Sequence, residues 1–396
     1  MLATADVAVV GGGAIGCSIA YHAAGRGARV VLLEAERLGS GSSGALAGML
    51  SGQAETEKSQ PMRDLMIRGR EYHKTLAKDL HETTDLDPGY VWDGALRTAR
   101  DGASEMRLRE EHAWNERAGL SFQWLSGDEA RELEPALSPA VTAGLYLPED
   151  GQVNPPQLLN ALAIGAAIRG AELIEATRVV GFVTDGERVT GLRTTRGRIS
   201  TGSVVVACGA FSNVLSEQLG VELPVYPLKG EMIVTNMWPS PIKANVWDSA
   251  NFYVVPKRDG RVIIGATEEP NVHDRSPTLG GVADLSRAAV NLIPTLSGAA
   301  FVSTWGGLRP ATPSGLPVLG PAGGKEGFLL ATGHFRNGVL LSAITGQVIG
   351  ALALGEESPV DISPFLHERL GEGPDMAGPV GARSDARLQE GAPPET

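Results

Sequence analysis

The stretch from Asp6 to Glu36, DVAVVGGGAIGCSIAYHAAGRGARVVLLEAE, constrains this chain more than any other. Val7–Val10 is a short β-branched run of the kind buried in parallel sheets. Gly11, Gly13 and Gly16 then match G-x-G-x-x-G, and Ile15, Ile19 and Ala23 continue at helical spacing. Arg29–Leu33 reads as a second buried strand, ending at Glu34, 18 residues after Gly16. In that context the first glycine permits a tight turn and the second lets backbone amides approach a pyrophosphate. The third lets the helix pack on the strand, and Glu34 can accept ribose hydroxyls. Cys17, next to the last glycine, reads as a small packing residue.

The choice between nicotinamide and flavin rests on GSGSSGALAGML, residues 39–50. Its second half, with Ala45, Leu46, Ala47, Met49 and Leu50, is too apolar for a free linker. Small side chains let backbone amides press against a flat ring, and Ser42 and Ser43 can donate to phosphates. A flexible Gly/Ser loop is the competing reading.

Helical periodicity returns at 61–82 and 104–119. Residues 154–212 give a helix, a short strand near Arg178–Phe182, a turn at Thr184–Arg188, alternating strands and the buried strand SVVVACGA. Two readings of Val179 and Gly209 stand side by side: contacts to an adenine and to the cofactor, or plain core and plain turn. From about 222 to 300 the pattern is antiparallel, with a hairpin turning at Asp259-Gly260 and a helix at 282–293. GFLLATG is the last buried strand. A helix is expected to follow, N-capped by Asn337, with Leu340, Leu341, Ile344, Val348 and Leu352 on its buried face.

The expectation is an α/β fold: a three-layer, Rossmann-type FAD-binding domain plus a second α+β substrate domain built on an antiparallel sheet. The pieces are 1–80, 145–220 and 302–366 for the first, and 81–144 and 221–301 for the second. The Gly- and Pro-rich segment 370–396 reads as a disordered tail.

Composition bounds the function. Lys plus Arg total 34 against 46 Asp plus Glu, a formal charge of −12, which weighs against nucleic acid as a partner. Two cysteines, Cys17 and Cys208, fit a reduced, cytoplasmic protein, and no Cys/His spacing suggests a metal. No run of 18 apolar residues suggests a membrane span.

The motifs VVGGGAIG, SGALAGML, PVYPLKGEM, FYVVPKRDGRVIIGAT, GGLRPATPSGLPVLG and GHFRNGVLLSAITG, in this order, resemble the D-amino-acid oxidase family of FAD-dependent amine oxidases. Within it the pattern is most similar to the glycine oxidases of thiamine biosynthesis, over residues 5 to 365. The resemblance implies FAD contacts from Ala14, Ile15, Glu34, Ala35, Ser42, Ser43, Ala47, Gly48, Met49 and Val179. It adds His334, Phe335, Arg336, Asn337, Gly338, Val339 and Leu340. It implies that Arg309 and Arg336 hold a substrate carboxylate, with Tyr253 beside it, and that the protein is a homo-oligomer, often a tetramer. Related sarcosine oxidases attach flavin through a cysteine before the final motif. Residues 310–333 contain none, so noncovalent FAD is expected. Asn251 and Glu268 depart from some relatives. Glu268 either reaches the site and attracts an amine or points outward.

Arginine suits bidentate carboxylate pairing, and Arg309 follows Gly306-Gly307, read as a rigid turn off a strand. From the residues alone, Arg309 reads equally as a packing arginine and Tyr253 as a core aromatic. Arg336, ahead of a helix N-terminus, calls for an anion. The expected reaction takes a hydride from the Cα of a neutral amino acid, gives glyoxylate and ammonia from glycine, and returns electrons to oxygen as hydrogen peroxide. Oxidation of D-amino acids, sarcosine or N-methyl amino acids, a quinone-linked dehydrogenase, and a non-catalytic flavin-binding protein are the alternatives.

Overall fold

The computed structural model describes residues 3–44, 46–55 and 59–370. Ala45 and the expected tail from 371 onward lie outside the described residues. Leu370, counted with that tail, is partly buried against the core.

The fold is α/β, with two large sheets. The first runs in the order Val318–Pro321, Phe328–Thr332, Gly197–Val206, Ala3–Val10, Val30–Leu33, Glu172–Ile174. All neighbours are parallel except the first pair. The first half of Gly197–Val206 also pairs antiparallel with Arg188–Thr194, which pairs with Val179–Asp185. One face carries the helices Ala14–Gly25, Gln60–Thr84, Pro155–Ile168 and Ser342–Leu352 over a core containing Val9, Ile19, Leu32 and Ile344. The other face buries Ala8, Val10, Phe182, Val204 and Phe328. Strands apolar on both faces are what a sheet covered on both sides requires.

In Gln60–Thr84, Met62, Leu65, Met66, Gly69, His73, Leu76 and Leu80 are buried at three- and four-residue intervals. Gly69 lets this helix abut the turn after Asn337: a Cβ there would lie 2.8 Å from the Leu340 carbonyl oxygen.

The second sheet is largely antiparallel. Its order is Glu269–Pro270, Tyr226–Asn236, Arg261–Gly265, Tyr253–Pro256, Asn245–Trp247, Ala95–Ala99, Ala143–Leu147, Gln123–Ser126. The long strand Ala300–Ala311 pairs with the other side of Tyr226–Asn236. The hairpin turns at Asp259-Gly260, where Gly260 has φ +84°. Two of the expected domain boundaries, at 145 and 302, fall inside strands Ala143–Leu147 and Ala300–Ala311, both of this second sheet.

Two local expectations are corrected. Gly306 and Gly307 do not form a turn; they lie mid-strand in Ala300–Ala311, opposite Glu231 and Gly230. This strand pairs on one side only, which is where a sheet tolerates Pro310. The last helix begins at Ser342, not after Asn337. Phe335–Asn337 is a separate 3₁₀ turn, and the Asn337 carbonyl accepts from the Leu341 N–H at 2.8 Å. Asn337 therefore caps no helix, and Leu340 and Leu341 precede it, although both are buried.

Candidate active site

The strand ends of the first sheet open on a long groove of about 480 Å³. Gly11 has φ +110°, and a Cβ on it would sit 2.5 Å from the Ala207 carbonyl oxygen. A Cβ on Gly16 would lie 1.9 Å from the Gly11 carbonyl oxygen, so the helix rests directly on the turn. Glu34 ties the turn to the second strand: its carboxylate accepts from the N–H of Gly12 at 2.7 Å and of Glu36 at 2.9 Å. Gly13, the N-cap of Ala14–Gly25, has no side chain with which to cap the helix. Ser43 Oγ accepts from the Ala14 N–H at 2.9 Å.

Gly11, Gly13, Ala14, Ile15, Glu34, Ala35, Ser42, Ser43, Val179, Gly209, His334, Phe335 and Gly338 all line this groove. Gly16 lies beneath it. The Ser42 hydroxyl donates to the Leu308 carbonyl and so joins the groove to the second sheet. The glycine floor, the helix N-terminus beside it and the volume of the groove fit a dinucleotide such as FAD. Cys17 and Cys208 are not thiolates, since burial pushes both up to about 12.

Where groove meets second sheet lies a cavity of about 40 Å³. Ala47, Gly48, Met49, Gly230, Met232, Tyr253, Gly307, Arg309, Arg336, Asn337 and Val339 are among the residues that line it. Leu340 lines neither space and packs into the core. Thus the structure brings Arg309, Arg336 and Tyr253 together in one pocket.

Arg309 and Tyr253 are held flat against the sheet. A Cβ on Gly230 would fall 2.2–2.4 Å from the Arg309 guanidinium, and one on Gly265 would fall 2.8 Å from the Tyr253 ring. Arg309 Nη1 donates to the Thr267 carbonyl at 3.1 Å. Arg309 has no carboxylate partner among the described residues. Burial raises the Tyr253 phenol, and Arg309 and Arg336 hold it back.

Arg336 is held differently. Nη1 donates to Glu268 Oε1 at 2.9 Å, and Nε lies 3.3 Å from Glu55 Oε2. The guanidinium carbon lies 5.7 Å from the centre of the Trp247 ring. Burial works against its charge, but Glu55 and Glu268 outweigh burial and raise its pKa further. Glu268 thus reaches the site. Asn251 adopts φ +62°, accepts from Arg97 at 3.0 Å, and offers its carbonyl to Arg336 Nη2 at 3.5 Å.

Several residues here carry no local signal in the sequence. Glu55 follows a segment fixed by buried Asp150, whose carboxylate accepts from the N–H of Gln53 and Ala54 and pairs with Arg70 at 3.0 Å. Burial lifts Asp150 to about 6, against the pull of Arg70 and those amides. The Ser51 hydroxyl lines the cavity with no hydrogen-bond partner among the described residues. Lys257 supports the 47–49 backbone from behind, with Nζ 2.6 Å from the Ala47 carbonyl, 2.6 Å from Gln152 Oε1 and 3.2 Å from the Val153 carbonyl. Burial brings this lysine down to about 7.

Two buried histidines brace the final turn. His73 Nε2 meets the Val339 carbonyl at 2.8 Å, so that nitrogen carries the proton, and Nδ1 accepts from the Tyr90 hydroxyl at 2.8 Å. His334 Nε2 lies 3.1 Å from Thr345 Oγ1. Burial lowers His73 to about 4 and His334 to about 3, so both are neutral near pH 7. Among the described residues no three His, Cys, Asp or Glu side chains group as metal ligands, and no helix is long and apolar enough to cross a membrane.

A glycine-floored groove opening on a cavity that holds two arginines and a tyrosine is consistent in its chemistry with a FAD-dependent oxidoreductase. The chain belongs to the DAO family of FAD-dependent oxidoreductases, whose model matches residues 6–352. It is 39% identical over 361 residues to a glycine oxidase of Geobacillus kaustophilus (strain HTA426), covering 91% of this chain and 96% of that one. It is 33% identical to a glycine oxidase of Pseudomonas putida (strain KT2440), over 92% and 99% of the two chains. The crystal structure of glycine oxidase from Geobacillus kaustophilus superposes with a TM-score of 0.89 over 92% of this chain and 98% of that one, at 38% identity.

Proposed function

We propose that this enzyme oxidises glycine to glyoxylate and ammonia, with oxygen as the electron acceptor and hydrogen peroxide as the second product. The carrying observation is Arg309: a buried guanidinium with no carboxylate partner among the described residues, facing a 40 Å³ cavity beside Tyr253. It calls for one carboxylate, and the small volume favours a substrate with little or no side chain.

FAD, bound noncovalently in the groove, would supply the acceptor for the hydride that leaves Cα with its two electrons. Gly11, Gly13 and the Ala14–Gly25 helix end hold its pyrophosphate, and Glu34 holds a ribose. Arg309 fixes the substrate carboxylate, and the Tyr253 hydroxyl, 3.4 Å from Met232 Sδ, turns to donate a second hydrogen bond. The neutral amine supplies the electron pair that forms C=N as hydride departs, so no strong side-chain base is needed. Water then hydrolyses the imine.

The likeness to glycine oxidases supports this reading over D-amino-acid or sarcosine oxidation, which the same site chemistry also allows. A role in thiazole supply for thiamine and a tetrameric state belong to the same proposal. They are tested by thiamine dependence of a deletion strain and by light scattering. The central test is spectroscopic. Purified protein shows a flavin spectrum that anaerobic glycine bleaches and oxygen restores with peroxide release. Protein that takes up no FAD, or FAD that no amino acid bleaches, overturns the reading.

A further inference from the structure

Within the site just proposed, the cations are not equivalent. Among the described residues Arg309 pairs with no carboxylate, its Nη1 donating to the Thr267 carbonyl, whereas Arg336 lies between two carboxylates of the chain itself. The side chains of Arg336 and Glu55 are 12% and 13% exposed, so that pair is shielded from solvent, while Glu268, 28% exposed, closes the cluster on its more open side. Counting Arg309, Arg336, Glu55 and Glu268, the pocket's charges sum to zero. A like charge brought beside a shielded carboxylate is repelled strongly.

The connection between the two arginines is short. Thr267 gives its carbonyl to Arg309, and the next residue, Glu268, gives its carboxylate to Arg336. Thr267 is anchored in turn, since its Oγ1 accepts from the Glu231 N–H at 2.9 Å. Glu268 therefore leaves the second sheet from a fixed point and reaches Arg336 by construction.

We propose that Glu268, together with Glu55, determines substrate specificity by keeping Arg336 engaged within the chain, so that the site admits amines with one carboxylate and rejects those with two. Arg309 alone is free to receive a substrate anion. A second anionic group on the substrate would have to displace Glu268 from Arg336 or sit beside Glu55 and Glu268 unpaired. The substrate's amine, by contrast, approaches a side of the pocket that already carries negative charge.

The test separates this proposal from the glycine-oxidation reading on which it rests, because it reads binding by calorimetry on the FAD-loaded protein. Acetate and malonate serve as probes with one and two carboxylates. Wild-type protein binds malonate no tighter than acetate. In Glu268→Gln, malonate binding tightens about tenfold or more, the size expected when a like-charge contact is relieved, and acetate changes far less. The Glu268→Gln/Arg336→Met double variant loses that gain. Glu268→Met serves as a second single variant if Glu268→Gln folds poorly. An unchanged malonate-to-acetate ratio in folded, flavin-loaded Glu268→Gln or Glu268→Met overturns the proposal. So does a gain that persists without Arg336. If glycine fails to bleach the wild-type flavin, the function reading falls while this comparison still stands.

Discussion

Glu268 and Arg336 form an ion pair 2.9 Å apart inside the candidate site, and the carbonyl of Thr267, one residue before Glu268, accepts from Arg309. One short segment after the strand Arg261–Gly265 therefore touches both guanidiniums of the pocket. Arg336 finds its anions within the chain, and Arg309 is left to find one outside it.

Replacing Arg309 with Ala removes the cation that has no internal counter-charge. We expect kcat/KM for glycine to fall about 10²-fold or more, mostly through KM, the range seen when one member of a buried charge pair is truncated. Steady-state peroxide release measures it, and the flavin spectrum is expected to survive. Glycine kinetics within threefold of wild type would sink the assignment.

Gly230→Ala probes the same residue from below. The new methyl would overlap the guanidinium, which must lift off the sheet. Overpacking of this kind costs about 1–3 kcal/mol. A lowered melting temperature together with weakened acetate binding is expected. Unaltered acetate affinity in the folded variant would show that the guanidinium does not depend on the glycine.

Acid stability follows from His73. Its folded pKa of about 4 lies below the unfolded value of 6.5, so the unfolded state takes up the proton first as pH falls. The stabilisation is present above pH 6.5 and is lost as pH drops toward 4, at about 1.4 kcal/mol per unit of pKa difference. His22, lowered to about 4, and His334 act in the same direction. Urea unfolding at pH 7 and pH 5 should show the loss, and His73→Gln should show a smaller one.

Lys257 gives a dependence of the same sign on the alkaline side. Its folded value of about 7 lies below 10.5, so the unfolded state holds the extra proton between them and stability rises with pH across that window. Lys257→Met removes the donor shared by three acceptors behind the 47–49 backbone. Orphaned buried acceptors cost about 1–3 kcal/mol each. Faster FAD release measured by fluorescence is the functional readout. A release rate equal to wild type would show that the lysine does not support the cofactor side.

The glycine-rich strand–turn–helix beside this groove was legible in the sequence because its requirements are local. Gly11 needs a positive φ and Gly16 a missing Cβ, and both needs fall within one strand–turn–helix. The hairpin at Asp259-Gly260 was legible for the same reason. The charge cluster was not. Glu55 and Arg336 come from opposite ends of the chain, and nothing near either one names the other. Gly306-Gly307 was misread as a turn because glycine pairs usually mark one. Here Gly306 has no side chain because a Cβ would lie 2.4 Å from the Arg275 carbonyl oxygen. The late start of the last helix was hidden by Leu340 and Leu341, which are buried as helical residues would be but belong to the turn before it.

The glycines beneath Arg309 and Tyr253 make the floor of the pocket inelastic. Neither Gly230 nor Gly265 can acquire a side chain without dislodging the group above it, so the sheet offers descendants of this sequence no route to a reshaped pocket. Variation in substrate range is channelled away from these glycines, to Ser51, Glu55, Asn251 and Glu268. There a single codon change alters charge or shape while the anchor for the carboxylate stays where it is.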